Sequence, residues 1–228
     1  MTAVRLTDFS VLTFDCYGTL IDWEGGIATA FERAARAAGV RVDRRAVLAA
    51  YHQVEPAVQG EAYRRYRDVL GETARRVAGR LGWTLDPAGA GFLADSLADW
   101  PPFPDTDPAL ARLAGAGYRL GILSNVDDDL LAATRRHFTV TFEFCVTAQQ
   151  VGAYKPARPH FARGRELVGG RRWLHAAQSW FHDVAPARAL GIPVAWINRK
   201  GERAGEGGPP DREFRTLGEL ADWLVPAR

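Results

Sequence analysis

Phe9-Ser10-Val11-Leu12-Thr13-Phe14-Asp15-Cys16-Tyr17-Gly18-Thr19-Leu20 is the stretch whose reading decides the fold. The run from Phe9 to Phe14 is short, β-branched and aromatic, and stops at a turn signal. It therefore reads as a buried strand. Asp15 then stands at the carboxyl end of the first strand. In open α/β sheets ligands bind at that edge, where the strand order reverses. A carboxylate there, with Gly18 and Thr19 beside it, is a candidate nucleophile. Asp and Gly are also ordinary turn residues after a strand, so the remainder of the chain has to decide between the two.

Beyond Thr19 the pattern turns helical and stays so. Apolar residues recur at helical spacing over 26–38, 43–58, 62–81 and 87–100, with stops at Gly39 and Gly82 and an N-cap at Asp43. Four helical segments with no strand between them read as an insertion. Trp100-Pro101-Pro102-Phe103-Pro104 reads as a stiff return. Helix and strand then alternate. Strands are expected at 118–123, 139–146, 174–180 and 193–197, and helices at 108–116, 127–137, 159–168, 184–190 and 217–224. The Gly-, Pro- and charge-rich span 199–213 reads as a surface loop. The expected fold is α/β: a Rossmann-like parallel sheet core from residues 1–20 and 104–228, with an α-helical cap, 21–103, inserted after the first strand.

Composition excludes several classes. A net charge of +2 over 228 residues implies no strong field for nucleic acid or a membrane surface. No run approaches the ~18 apolar residues of a membrane span, and residues 1–8 lack the apolar centre of a secretory leader. Two cysteines, Cys16 and Cys145, build neither a disulfide framework nor a zinc site. A reduced, cytoplasmic setting is expected. Cys16 next to Asp15 invites a thiol-nucleophile reading, but alternation at a strand end turns it away from Asp15 and favours a packing role.

Four strand ends carry polar groups: Asp15 with Thr19, Ser124 with Asn125, Lys155, and Gln178 to Asp183. Each has an ordinary explanation. Ser124-Asn125 and Asp183 suit helix N-caps, Lys155 a solvated loop, Thr19 a side-chain turn. Lys155 and Lys200 are the only lysines, which weighs slightly for a specific need at Lys155. In a doubly wound sheet the four ends share one edge and converge, and their ordered recurrence argues for a site.

Phe14-Asp15-Cys16-Tyr17-Gly18-Thr19-Leu20 resembles the first motif of the haloacid dehalogenase (HAD) superfamily. Leu123-Ser124-Asn125 resembles its second, Tyr154-Lys155-Pro156 its third, and His182-Asp183 through Gly191 its fourth. Trp196-Ile197-Asn198-Arg199 is similar to the dehalogenase branch. The resemblance implies catalysis by Asp15, Thr19, Lys155 and Asp183. Asp15 displaces halide from a small 2-haloalkanoic acid and forms an ester that water hydrolyses. Phosphatase members carry a second acid two residues after the nucleophile, which protonates the leaving alkoxide. Here that position is Tyr17. A halide needs no proton, so the resemblance points to the type II 2-haloacid dehalogenase branch and to no cofactor. The alternatives are a Mg²⁺-dependent phosphatase holding the metal on Asp15 and Asp183, and a non-catalytic binding protein.

Substrate contacts are expected from Tyr17, Ser124, Asn125, Gln178, His52 and Arg64. His52 stands where the dehalogenases place a cap arginine, and Arg64 is a nearby replacement within Tyr63-Arg64-Arg65-Tyr66-Arg67. The ordinary reading of that run is a solvated helix face with its aromatics turned inward. Trp23 is open to either a pocket or a core role. Phe161 replaces a family tyrosine, and Gln178 and Trp180 replace a serine and an asparagine. The expected partner is a small molecule, with no nucleic acid and no membrane; a homodimer is left open.

Overall fold

The computed structural model describes residues 9–86, 89–206 and 208–226. The leader reading of residues 1–8 and the helix start at Pro87 lie outside them. β1 is Val11–Phe14. Helices α1 (Trp23–Ala37), α2 (Arg44–Gln59), α3 (Tyr66–Arg80) and α4 (Phe92–Ser96) follow, then α5 (Thr106–Gly115) and β2 (Arg119–Ser124). Next come α6 (Asp128–Thr134), β3 (Phe144–Thr147), α7 (Ala148–Val151), α8 (Pro159–Val168) and β4 (Trp173–Ala177). The chain continues through α9 (Ala185–Ala189), β5 (Val194–Ile197), β6 (Arg212–Phe214) and α10 (Leu217–Leu224).

The strands form one parallel sheet in the order β3-β2-β1-β4-β5-β6. The chain builds outward from β1 through β2 to β3, then returns to lay β4 on the other side of β1. The order thus reverses at β1/β4, and a crevice opens at the carboxyl ends there. Alternate residues face opposite sides. Leu12, Phe14, Leu120 and Ile122 join one core. Val11, Leu123 and Trp173 join a second on the other face. The first core runs on without a break into α1–α4 through Ile27, Phe31, Val47, Leu70 and Leu93.

The helical segments adjust at their ends. α1 begins at Trp23 because Asp22 accepts from the Gly25 N–H. Asp43 caps α2 as expected. The third helix starts at Tyr66, four residues later than periodicity suggests, because the buried Asp127 carboxylate accepts the N–H groups of Tyr66 and Arg67 at 3.0 Å each. The fourth breaks into short 3-10 and α turns, Gly89–Gly91, Phe92–Ser96 and Leu97–Asp99. The proline-rich return pairs with the outgoing chain: Phe103 N–H donates to the Leu20 carbonyl and Asp22 N–H to that of Pro101. The expected loop 199–213 contains the edge strand β6, whose Arg212 and Glu213 are exposed. No helix among the described residues is long and apolar enough to cross a membrane.

Candidate active site

Asp15 follows β1 directly, and its N–H extends the ladder to the Ala176 carbonyl of β4. Gly18 then turns the chain at φ +99°, a conformation that favours glycine. A Cβ there would lie 3.1 Å from the Trp23 indole nitrogen and 3.2 Å from Gln178 Oε1. The turn brings Thr19 back under Asp15. The Gln178 N–H donates to Thr19 Oγ1 at 2.9 Å, which leaves the hydroxyl proton for Asp15 Oδ2 at 3.0 Å. Cys16 is fully buried in the apolar core.

Lys155 is 1% exposed and spends all three ammonium protons. They go to Asp15 Oδ1 at 2.9 Å, the Leu123 carbonyl at 2.8 Å and Asp183 Oδ1 at 2.6 Å. Burial would strip the charge from this lysine, but the two carboxylates outweigh it and hold its pKa above the usual value. Burial also favours the protonated form of Asp183, yet Lys155 and a hydrogen bond from His175 prevail and hold it down to about 2. Burial raises Asp15, only partly opposed by Lys155 and reinforced by the charge of Asp183. The floor of the site is thus a lysinium between two carboxylates, of which Asp15 is the more basic and hence the better nucleophile.

Behind Asp183 lies a buried relay. His175 Nε2 is 3.0 Å from Asp183 Oδ1, and His175 Nδ1 is 2.8 Å from Thr13 Oγ1. Trp173 Nε1 is 2.6 Å from the same Thr13 oxygen. The indole can only donate, and an ionised carboxylate can only accept. The Thr13 proton therefore points to Nδ1 and the imidazole carries its proton on Nε2, facing Asp183. A neutral imidazole satisfies every partner. Thr13 and His175 are direct register neighbours on β1 and β4. Two polar residues in adjacent, otherwise apolar central strands were the available signal, and periodicity alone passes over it.

The remaining groups fall into place with several corrections. The Tyr17 hydroxyl bonds Thr134 Oγ1 at 2.9 Å, and Thr134 donates onward to the Leu130 carbonyl. Tyr17 is therefore the donor in that bond, and its proton is committed away from Asp15. Asn125 does not bond Asp15. It clamps the main chain of Lys155, donating to its carbonyl at 3.0 Å and accepting its N–H at 2.7 Å. Ser124 is no helix cap. Its carbonyl accepts from His160 and its buried Oγ has no partner. Asp183 is no cap either; it lies within a π-turn, Trp180–Val184, whose cap is Ser179. Its Oδ2 is buried and unpartnered.

Above this floor is a cavity of about 420 Å³ that Asp15, Lys155 and Asp183 line. Ser124, Asn125, Tyr17 and Gln178 reach it from the sheet side, and Trp23, His52 and Glu55 from the helices. Trp23 serves both readings, lining the cavity and packing on Tyr51 at 5.6 Å. His52 reaches the cavity, but it stacks on Trp23 and pairs with Glu24 Oε1 at 2.8 Å. Arg64 does not reach it. Its guanidinium pairs with Glu61, because residues 62–65 run as an exposed turn outside α3. Arg65 and Arg67 pair instead with Asp127, Asp129 and Asp95. Phe161 is buried against the His175 ring.

A divalent cation fits these groups poorly. Mg²⁺ needs an octahedral set of oxygens, usually anchored by carboxylates. Lys155 already fills the space between Asp15 and Asp183, and the fourth motif offers the amide of Gln178. Among the described residues no group of three or more His, Cys, Asp or Glu could hold a metal.

A family model for haloacid dehalogenase-like hydrolases matches residues 9–172. The chain is 29% identical to an (S)-2-haloacid dehalogenase, H-109, of Pseudomonas putida, over 94% of this chain and 97% of that one. It is 28% identical to haloacetate dehalogenase H-2 of a Moraxella strain, over 94% and 92%. The fold superposes on an L-2-haloacid dehalogenase from Xanthobacter autotrophicus with chloropropionic acid covalently bound. That match has a TM-score of 0.83 at 22% identity and covers 96% of this chain and 100% of that one. The lysinium held between two carboxylates at the sheet's reversal point therefore sits in a known frame, and the chain belongs to the haloacid dehalogenase-like hydrolase family.

Proposed function

We propose that the protein is a hydrolytic dehalogenase of small 2-halogenated carboxylic acids. Asp15 is the nucleophile, and helices within 21–103 act as a cap over it. The observation that carries this reading is the direction of the Tyr17 hydroxyl. It points to Thr134, so the position two residues after Asp15 supplies no proton to a departing alkoxide. A halide leaves without a proton. The dehalogenases to which the chain is similar support the same reading.

In the first step an Asp15 oxygen attacks the halogen-bearing carbon. A carbon–oxygen bond forms as the carbon–halogen bond breaks, and the halide leaves with the electron pair. Lys155 and Thr19 hold the carboxylate in aim. In the second step water attacks the Asp15 carboxyl carbon. The acyl–oxygen bond breaks, the hydroxy product takes a proton, and Asp15 keeps one water oxygen. Asp183 Oδ2, buried and without a partner, is the acceptor that orients this water. The Trp173-Thr13-His175 relay holds that carboxylate in place.

One turnover in heavy-oxygen water, with enzyme in excess over 2-chloropropionate, tests the scheme. The label is expected in Asp15, with none in the first product. Label entering that product directly would mean that water, not Asp15, attacks the carbon.

A further inference from the structure

The turn that delivers Asp183 delivers two aromatic rings with it. Trp180 and Phe181 stand three and two residues ahead of Asp183 in the π-turn Trp180–Val184. Asp183 is joined to Asp15 through Lys155, at 2.6 and 2.9 Å. One turn of chain therefore separates the rings from the reacting groups, and all of them line the same cavity. The two rings are held differently. Trp180 is fixed. Its indole N–H donates to the Glu206 carbonyl at 3.1 Å, and its ring meets Trp196 edge-on at 5.0 Å. Gly205 closes over the indole so tightly that a Cβ there would come within 2.6 Å of it. With its N–H committed to the Glu206 backbone, Trp180 has only apolar surface left to offer the cavity.

Phe181 is the opposite case. It is 66% exposed, and its ring packs edge-on against His182 at 5.0 Å. A lone exposed phenylalanine is ordinary on a protein surface. This one lines a cavity, so a ligand that fills the cavity covers part of its ring. The helices add Trp23, Tyr51, Pro56 and Tyr66 to the same lining. At about 420 Å³ the cavity falls in the range that takes drug-sized ligands, about 300–1,000 Å³. A three-carbon haloacid seated on Asp15 fills a small part of it. An aromatic group beside these rings takes apolar surface out of water on both partners, and ring-on-ring packing adds to that gain.

We propose that this cavity selects 2-halogenated acids whose carbon 2 carries an aromatic substituent, with that ring packed on Phe181 and against the Trp180 wall. The inference rests on the dehalogenase reading and adds only the tail. The carboxylate and the carbon that Asp15 attacks are common to every such acid. Phe181 is then a specificity residue and takes no part in the bond changes at Asp15. The free protein leaves its ring in water, and the preferred substrate removes it from water.

The pair 2-chloro-3-phenylpropionate and 2-chloropropionate tests it, because the two share the reacting end and differ by one phenyl ring. Halide release by wild type is expected to favour the phenyl acid by about tenfold or more in kcat/KM, and Phe181→Ala to pull that ratio toward the smaller acid by a similar factor. Phe181→Tyr keeps a ring and is expected to keep the preference. Phe181 is exposed, so neither substitution opens the core, and circular dichroism checks the fold. In parallel, the corresponding hydroxy acids, 3-phenyllactate and lactate, are titrated calorimetrically. Tighter binding of 3-phenyllactate that Phe181→Ala abolishes upholds the inference even if neither halide is released, in which case the dehalogenase reading fails alone. Where halide is released, equal or better use of 2-chloropropionate by wild type, or a ratio that Phe181→Ala leaves unmoved, overturns the inference and leaves the dehalogenase reading standing. No halide release, with hydroxy acids that bind alike or a preference that Phe181→Ala leaves unmoved, overturns both.

Discussion

The floor and the roof of the cavity each bury a carboxyl group, and they treat it in opposite ways. On the floor, Asp183 faces a lysinium and an imidazole N–H, and its acidity increases to about 2. On the roof, burial pushes Glu55 up to about 7 against a glutamine amide, a tyrosine and the nearby His52. Burial is nearly complete at both, so the partners decide the sign. The lesson is that the buried carboxylates of the floor share a cation within the protein, whereas the buried carboxyl of the roof has no ion pair among the described residues.

Removing the cation of the floor is the hardest blow. Lys155→Met leaves two carboxylates buried beside each other. Loss of one partner of such a pair typically costs about 3–5 kcal/mol, with turnover lost as well. Chemical denaturation and halide release read both effects, and a variant as stable as wild type would show that the lysinium is not what holds the floor together.

The contrast has a pH signature. Glu55 is raised in the folded state, so its contribution to stability is complete below about pH 4.5 and is lost as pH climbs through about 7. Asp183 is depressed, so its contribution is present above about pH 4 and is lost as pH falls toward 2. Glu55→Gln is therefore expected to remove a loss of a few kcal/mol between about pH 5 and 8 and to leave the acid limb alone. Tm against pH for both proteins checks this. Parallel curves would mean that Glu55 has its ordinary acidity.

A gentler break leaves the floor's charges intact and loosens one of them. His175→Leu removes the N–H that aims Asp183, a bond to a charged group worth about 1.5–3 kcal/mol, or roughly 10–100-fold in rate. The loss is expected in hydrolysis of the ester, so mass spectrometry should find adduct on Asp15 accumulating in the variant. The smallest effect is expected from Arg64→Ala, within about twofold in kcat/KM, because an exposed pair with Glu61 contributes little. A large KM rise there would mean that the turn before α3 folds inward on binding.

The same contrast explains what could be read in the chain. Asp15 stands directly at the end of β1, and Lys155 and Asp183 stand in the segments that follow β3 and β4, so the sheet's topology brings all three to one edge. Asp15, Lys155 and Asp183 were legible for that reason, and so was the sheet itself except for β6, a three-residue edge with exposed charges. The roof depends on how helices turn against one another. A glutamate between Val54 and Pro56 reads as a solvated position, and only packing reveals Glu55 as buried. The arginines before α3 looked available because periodicity extended that helix back through them. Asn125 was sensed as important, but its amide serves the Lys155 backbone, a long-range pairing that spacing cannot express.

Asp127 bears on how such an enzyme would be refitted. It stands three residues after Ser124 and two after Asn125, and closes the first turn of α3 from across the molecule. A chimaera that swapped α1–α4 for those of a relative would leave this acceptor facing whatever amides the new helix presents. The exchangeable module is therefore not these four helices alone. It is the helices together with one aspartate about thirty residues downstream of α4, and grafts made without that residue are expected to express with α3 unseated.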